Sequence, residues 1–147
     1  MTKTELLNKA IKIASKAHKK QTDKYGAPYI GHVMRVMNYG KTIDEKIVGV
    51  LHDVVEDCPE YSLDYLREQG FSEDVVFAVE CLTKLSPDED YDEFTKRVER
   101  SPLAIAVKLN DLRDNMDLRR FTGLITEKDQ KRLNKYLKAY QYLTDKY

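Results

Sequence analysis

The stretch Thr42-Ile43-Asp44-Glu45-Lys46-Ile47-Val48-Gly49-Val50-Leu51-His52-Asp53-Val54-Val55-Glu56-Asp57 decides the reading of this 147-residue chain. Thr42 with Glu45 three positions on has the form of a capping box, which opens a helix. Apolar Ile47, Val48, Val50 and Leu51 lead into His52-Asp53, and Val54 and Val55 separate that pair from Glu56-Asp57. Read as one helix, the four polar residues put an imidazole and three carboxylates on adjacent faces, one turn apart. So much acid beside buried apolar surface is unfavourable unless a cation neutralises it. A divalent metal ion answers that need, and other helices must supply its remaining ligands.

Outward from this stretch, helical signals dominate. Thr2 and Glu5 form a second capping box, and Leu6, Leu7, Ala10, Ile11, Ala14 and Ala17 recur at helical spacing to about His18. Residues 19–28 are polar, contain Gly26 and Pro28, and read as a loop. A second helix begins near Pro28 to Ile30 and ends at Gly40. Short helices are expected at about 62–69, stopped by Gly70, and at 73–82 behind Ser72; residues 84–90 are a loop and 91–100 are helical. Pro102 opens a strongly apolar helix through Met116, and a last helix runs from about Thr126 to the C-terminus. No segment alternates as a strand does, and there is no repeat or low-complexity linker. The expected fold is all-α, a single compact multi-helix domain over residues 1–147.

The bulk properties exclude several classes. Lys plus Arg equal Asp plus Glu at 25 each, so no net field draws the chain to DNA, RNA or a membrane. Cys58 and Cys81 fit neither a disulfide framework nor a thiolate metal site. The first ten residues lack the character of a signal peptide, and no apolar run approaches membrane-spanning length. A cytoplasmic protein with a small-molecule partner is the expectation. Of the ten tyrosines, Tyr136, Tyr140 and Tyr142 on the last helix are assigned to packing or to self-association in a homo-oligomer, not to ligand binding.

Two residues outside the opening stretch are candidates to complete a site. His32 sits among Val33, Val36 and Met37 on the second helix. Asp111 shares a face with Ala104 and Val107 on the most apolar helix, so its carboxylate is expected to point inward, where an unpaired charge is unfavourable by several kcal/mol. His32, His52, Asp53 and Asp111 make a two-imidazole, two-carboxylate metal set that suits Mn, Fe, Co or Zn without choosing among them. Blander readings stand beside it: His32 as a hydrogen-bonded core histidine, and Asp111 paired with Lys108. Glu56 and Asp57 would lie just beyond the ion, where a carboxylate can orient water or move its proton. Their position at a helix C-terminus, against the dipole, also argues for a role.

The order His32, His52-Asp53, Asp111 resembles the HD-domain metal-dependent phosphohydrolases. Ala17-His18-Lys19-Lys20-Gln21, Gly26-Ala27-Pro28-Tyr29-Ile30-Gly31-His32 and Leu51 through Asp57 narrow the resemblance to the alarmone ((p)ppGpp) hydrolase domain of the RelA/SpoT group. Leu82-Thr83-Lys84-Leu85 and Lys108-Leu109-Asn110-Asp111, with Asn115-Met116 behind them, extend it over about residues 5–120. It looks like the small stand-alone, metazoan-SpoT-homologue type. The resemblance implies Mn²⁺-dependent removal of the ribose 3′-pyrophosphate from ppGpp or pppGpp. His32, His52, Asp53 and Asp111 would hold the metal, Glu56 and Asp57 would activate or place the water, and Lys24 and Asn115 would contact the nucleotide. Two positions depart from the family pattern. Asp23 stands where an arginine usually borders the guanine, and Asp117 where a second arginine is expected near the phosphates; Arg113 or Lys20 would then have to compensate. That departure keeps two alternatives in play: another phosphorylated nucleotide as substrate, or a nucleotide-binding module without turnover.

Overall fold

Seven of the helices begin at a side chain that closes their first turn. Thr2, Thr42, Ser62, Ser72, Asp90, Ser101 and Thr126 each accept a hydrogen bond from the backbone N–H three residues on. The computed structural model describes all 147 residues. In chain order the helices are α1 (Lys3–Ala17), α2 (Tyr29–Tyr39), α3 (Ile43–Leu51), α4 (Val54–Asp57), α5 (Leu63–Glu68), α6 (Glu73–Cys81), α7 (Tyr91–Val98), α8 (Pro102–Asn115) and α9 (Glu127–Lys146). A 3-10 turn, Leu118–Arg120, joins α8 to α9 and had no signal in the sequence. The only extended pairing is an isolated bridge between Thr22 and Pro28. The fold is all-helical, as its periodicity predicts.

α3 is the axis of the molecule. Ile47, Val48, Val50 and Leu51 are all at most 1% exposed, and the helix is surrounded by α1, α2, α6 and α8. A helical half that is apolar on every side, as residues 47–51 are, has nowhere else to go. Gly49 lets α2 come close: a Cβ there would lie 3.1–3.2 Å from the Met37 backbone and the Val36 carbonyl. Gly70 ends α5 with φ +100°, a backbone conformation that side chains disfavour. The main core unites 26 buried residues from α1 through α8. α9 joins through a separate small cluster, Leu112, Ala139 and Leu143.

One expectation is corrected here. His52 and Asp53 do not ride on a continuous helix. α3 stops at Leu51, His52 and Asp53 form a turn, and α4 restarts at Val54. Thr42 caps α3, but without the reciprocal Glu45 bond of a full capping box. Glu56 and Asp57 therefore belong to a one-turn helix, and the argument from a long helix dipole does not apply to them.

Candidate metal centre and its cleft

The break after Leu51 is what brings neighbours in sequence into one site. On a regular helix His52 and Asp53 would point roughly 100° apart. In the turn, His52 Nε2 comes within 3.1 Å of Asp53 Oδ2. The His52 ring is held by its Nδ1, which donates to the Gly49 carbonyl at 2.6 Å. From α2, His32 Nε2 lies 3.8 Å from the same Asp53 oxygen. One nitrogen or oxygen from each of His32, His52 and Asp53 lies within 4.8 Å of the others. From α8, Asp111 Oδ1 stands 3.0 Å from His32 Nε2 and 3.2 Å from His52 Nε2. Both imidazoles are 2% exposed.

Asp111 carries further partners. The buried Lys108 ammonium donates to its Oδ2 at 3.2 Å, and Asn115 Nδ2 donates to its Oδ1 at 3.0 Å. The lysine pairing and the contacts to histidine thus coexist on one carboxylate. Tyr29 donates its hydroxyl to Asp53 Oδ2. His32 Nδ1 meets Asp114 Oδ2 at 2.6 Å, a contact the sequence reading did not anticipate.

The electrostatics follow from burial of opposite charges. Burial presses both imidazoles toward neutrality, yet Asp53 and Asp111 raise His52 well above its ordinary value, and Asp111 with Asp114 raises His32. Burial likewise opposes the carboxylates, but His52 outweighs it and holds Asp53 below the usual carboxylate range. Lys108 and His52 hold Asp111 well below the usual range. Burial, then Asp53, raises the Tyr29 phenol far above its ordinary value, so it remains a donor.

These residues fit a divalent cation on the chemistry of their donor atoms. His52 must give its Nδ1 proton to a carbonyl that can only accept, which leaves Nε2 as a lone pair in the neutral ring. That lone pair faces two carboxylate oxygens. His32 has the same arrangement, with Asp114 as the acceptor at Nδ1. Either both rings carry a second proton or a cation lies among the four groups. Imidazoles that donate one nitrogen to a carbonyl or carboxylate and offer the other are how proteins present histidine to metals.

A cavity of about 150 Å³ opens beside the cluster, lined among others by Asp53, Glu56, Asp111, Asn115, Lys135 and Tyr136. Glu56 Oε1 accepts the Lys84 backbone N–H at 2.8 Å, and partial burial, then Asp53 and Asp57, pushes its carboxyl upward. Arg97 fixes the loop that carries Lys84 by donating to the Thr83 carbonyl and to Glu89. Three ammonium groups surround the Tyr91 ring: Lys135 at 4.8 Å, Lys108 at 5.3 Å and Lys84 at 6.0 Å from its centroid. Tyr136 and Tyr140 pack against the small cluster, as expected, and Tyr136 also lines this cavity, while Tyr142 donates to Glu99.

Other expected residues lie elsewhere. Asp57 does not line the cavity; its carboxylate accepts from Gln21 Nε2, and Gln21 Oε1 meets His18 Nδ1. Lys24 borders a neighbouring depression with Tyr25, Phe121 and Arg132. Partial burial, then Arg132 and Arg120, lowers it to about 8. Arg113 stacks on Tyr39 at 4.0 Å and does not meet Asp23. Arg120 does, with Nη2 at 3.1 Å from Asp23 Oδ2. Asp117 is taken up by Arg119. Arg120, Arg35, Asp114 and Lys135 carried no motif that the sequence reading used.

Comparison with known proteins finds relatives among enzymes named for GTP and guanosine polyphosphates. A GTP pyrophosphokinase of Streptomyces antibioticus is 31% identical over 146 aligned positions, covering 91% of this chain. A guanosine-3′,5′-bis(diphosphate) 3′-pyrophosphohydrolase of Aquifex aeolicus is 28% identical over 123 positions, covering 76%. This chain is a distant homologue of one segment of these enzymes. A probable GTP pyrophosphokinase of Mycobacterium leprae aligns at 30% over 128 positions. The chain spans about one-sixth of these relatives, 16–17% of each. No family model matches it. No helix is long and apolar enough to cross a membrane.

Proposed function

We propose that the chain is a single HD-type phosphohydrolase domain of the RelA/SpoT group, which removes the 3′-pyrophosphate of guanosine tetra- or pentaphosphate. The observation that carries this reading is the convergence of His32, His52, Asp53 and Asp111, from three separate segments, with their lone pairs turned toward one another. Those four residues would hold the cation, with Mn²⁺ as the ion suggested by the resemblance. When bound there, a divalent ion polarises a phosphoryl oxygen and makes water a stronger nucleophile near neutral pH.

The chain's own groups supply the rest. Glu56 borders the cavity with its carboxyl raised, as suits a group that takes a proton from attacking water. Water adds to the phosphorus attached to the ribose 3′-oxygen, that phosphorus–oxygen bond breaks, the 3′-oxygen gains the proton that the water gave up to Glu56, and pyrophosphate is released with GDP or GTP as the other product. Lys84 and Lys135 offset the charge that gathers on the phosphoryl oxygens. Asn115 holds Asp111 from one side and Lys108 from the other. Asp57 ties to the loop before α2 through Gln21 and His18.

The cavity size favours a second reading of the substrate. About 150 Å³ admits a phosphoryl group, whereas sites that enclose a whole small ligand run to roughly 300–1,000 Å³. The nucleoside would then lie outside, where Asp23 and Asp117 are already paired with arginines. Another phosphorylated nucleotide fits such a site as well. The deciding experiment incubates the protein with ppGpp, pppGpp and a panel of phosphorylated nucleotides in Mn²⁺, Co²⁺ or Zn²⁺. Pyrophosphate release from ppGpp supports the first reading; release of phosphate from another nucleotide alone supports the second. Conversion of GTP with ATP into ppGpp would replace both with a synthetic activity, and nucleotide binding without turnover in any metal would make the chain a binding module.

A further inference from the structure

The two histidines of the cluster are oriented by different kinds of acceptor. His52 uses a main-chain carbonyl, which no substitution can remove. His32 uses Asp114, a side chain with no exposure to solvent. We infer that Asp114, gripped between Arg35 and Arg120, is a positioning residue that fixes the His32 ring with Nδ1–H toward α8 and Nε2 toward Asp53 and Asp111. The inference rests on the metal reading above for its consequence, though not for its geometry.

The need for such a group is chemical. His32 Nε2 lies 3.0 Å from Asp111 Oδ1. A neutral ring left to itself would donate its proton there and lose the lone pair that a cation requires. The shorter 2.6 Å contact at Nδ1 gives the proton a competing and stronger acceptor. Asp114 must stay ionised to play that part, and two guanidiniums see to it. Arg35 Nε donates to Oδ1 at 2.7 Å and its Nη2 to Oδ2 at 3.2 Å; Arg120 Nη1 donates to Oδ2 at 3.0 Å. A buried carboxylate without such partners would be strongly unfavourable.

Arg120 extends the arrangement. Its Nη1 also reaches the Asp114 carbonyl, at 3.0 Å, and its Nη2 reaches Asp23. Asp23 Oδ1 in turn accepts the N–H groups of Tyr25 and Ala27, both at 2.9 Å. The loop that leads into α2, and so sets where His32 stands, is thereby tied to α8. With two acids and two guanidiniums the network is neutral, so it orients the ring without adding charge beside Asp53 and Asp111.

The test compares the full chain with Asp114→Asn and Arg35→Gln. Arg35 is 41% exposed, so its variant keeps the test alive if Asp114→Asn fails to fold. Long-range nitrogen–proton NMR of the imidazoles, in metal-free protein at alkaline pH, reads the tautomer; calorimetry with Mn²⁺ reads affinity. The expected result is Nδ1–H on His32 in the parent protein and a mixture of tautomers in Asp114→Asn. Mn²⁺ affinity should fall about 10- to 100-fold in Asp114→Asn, with a smaller fall in Arg35→Gln. A proton on Nε2 in the parent, or unchanged tautomer and affinity in both variants, overturns the inference. A parent protein that binds no Mn²⁺ yet loses the Nδ1–H tautomer on Asp114→Asn overturns the metal reading and leaves the positioning role standing.

Discussion

Two walls of the cavity are built differently. One comes from α2, the α3–α4 turn and α8, and its side chains are set by the 26-residue core. The other comes from α9, which contributes Lys135 and Tyr136 but buries only Ala139 and Leu143 over 20 residues. Its C-terminal turns are held at the surface, where Glu99 accepts from the Tyr142 and Tyr147 hydroxyls and pairs with Lys146. A cation held by the first wall needs donor atoms fixed to fractions of an ångström. A phosphate against the second needs only nearby charge. On the proposed reading, the core-set wall serves chemistry and the α9 wall serves recognition.

Substitutions that strike the core-set wall should have the largest effects. Asp111→Ala removes a carboxylate oxygen from the cluster and leaves the Lys108 ammonium buried without its partner. Turnover and metal binding should be lost, and urea unfolding should report a destabilisation of about 3–5 kcal/mol. Glu56→Gln should leave stability and metal affinity near the parent values while removing most turnover. Equal activity in that variant would take Glu56 out of the mechanism.

Leu143→Ala sharpens the contrast between walls. Leu143 is fully buried, and its truncation should cost about 2–5 kcal/mol, toward the low end because the small cluster can relax. Hydrogen exchange should speed along α9 while α3 keeps its protection. Uniform acceleration across both helices would show a single cooperative unit and erase the distinction. Lys135→Gln should lower kcat/KM by roughly fivefold or less, as befits an exposed charge worth at most about 1 kcal/mol.

The smallest effect is a dependence on acidity. Glu99 is held at about 2 by Lys146 and the two phenols. A depressed carboxyl stabilises the fold above its unfolded value of about 4.5 and loses that contribution as pH falls toward 2. Amide exchange in the last turns of α9, corrected for the intrinsic pH dependence, should lose protection between about pH 4.5 and 2. A Glu99→Gln variant should show the looser end already at neutral pH.

The same division explains what could be read without coordinates. The helices were legible because caps and apolar spacing are local, and Asp111 was singled out because an acid on the face of Ala104 and Val107 has few harmless explanations. The turn at His52-Asp53 was not legible: nothing but the Gly49 carbonyl and the surrounding core ends α3 there. Asp114 was invisible because its partners, His32, Arg35 and Arg120, are 82, 79 and 6 residues away in the chain. The place of Lys135 and Tyr136 in the cavity lining was missed because α9 reads as an ordinary amphipathic helix, and only its docking on α7 and α8 turns those residues toward the cavity.

The most direct test of the account is diffraction from crystals of the protein grown with Mn²⁺, recorded on both sides of the manganese absorption edge. The account predicts one anomalous peak per chain, bounded by Nε2 of His32 and His52 and by the carboxylates of Asp53 and Asp111. No peak, or a peak away from these four groups, would contradict it.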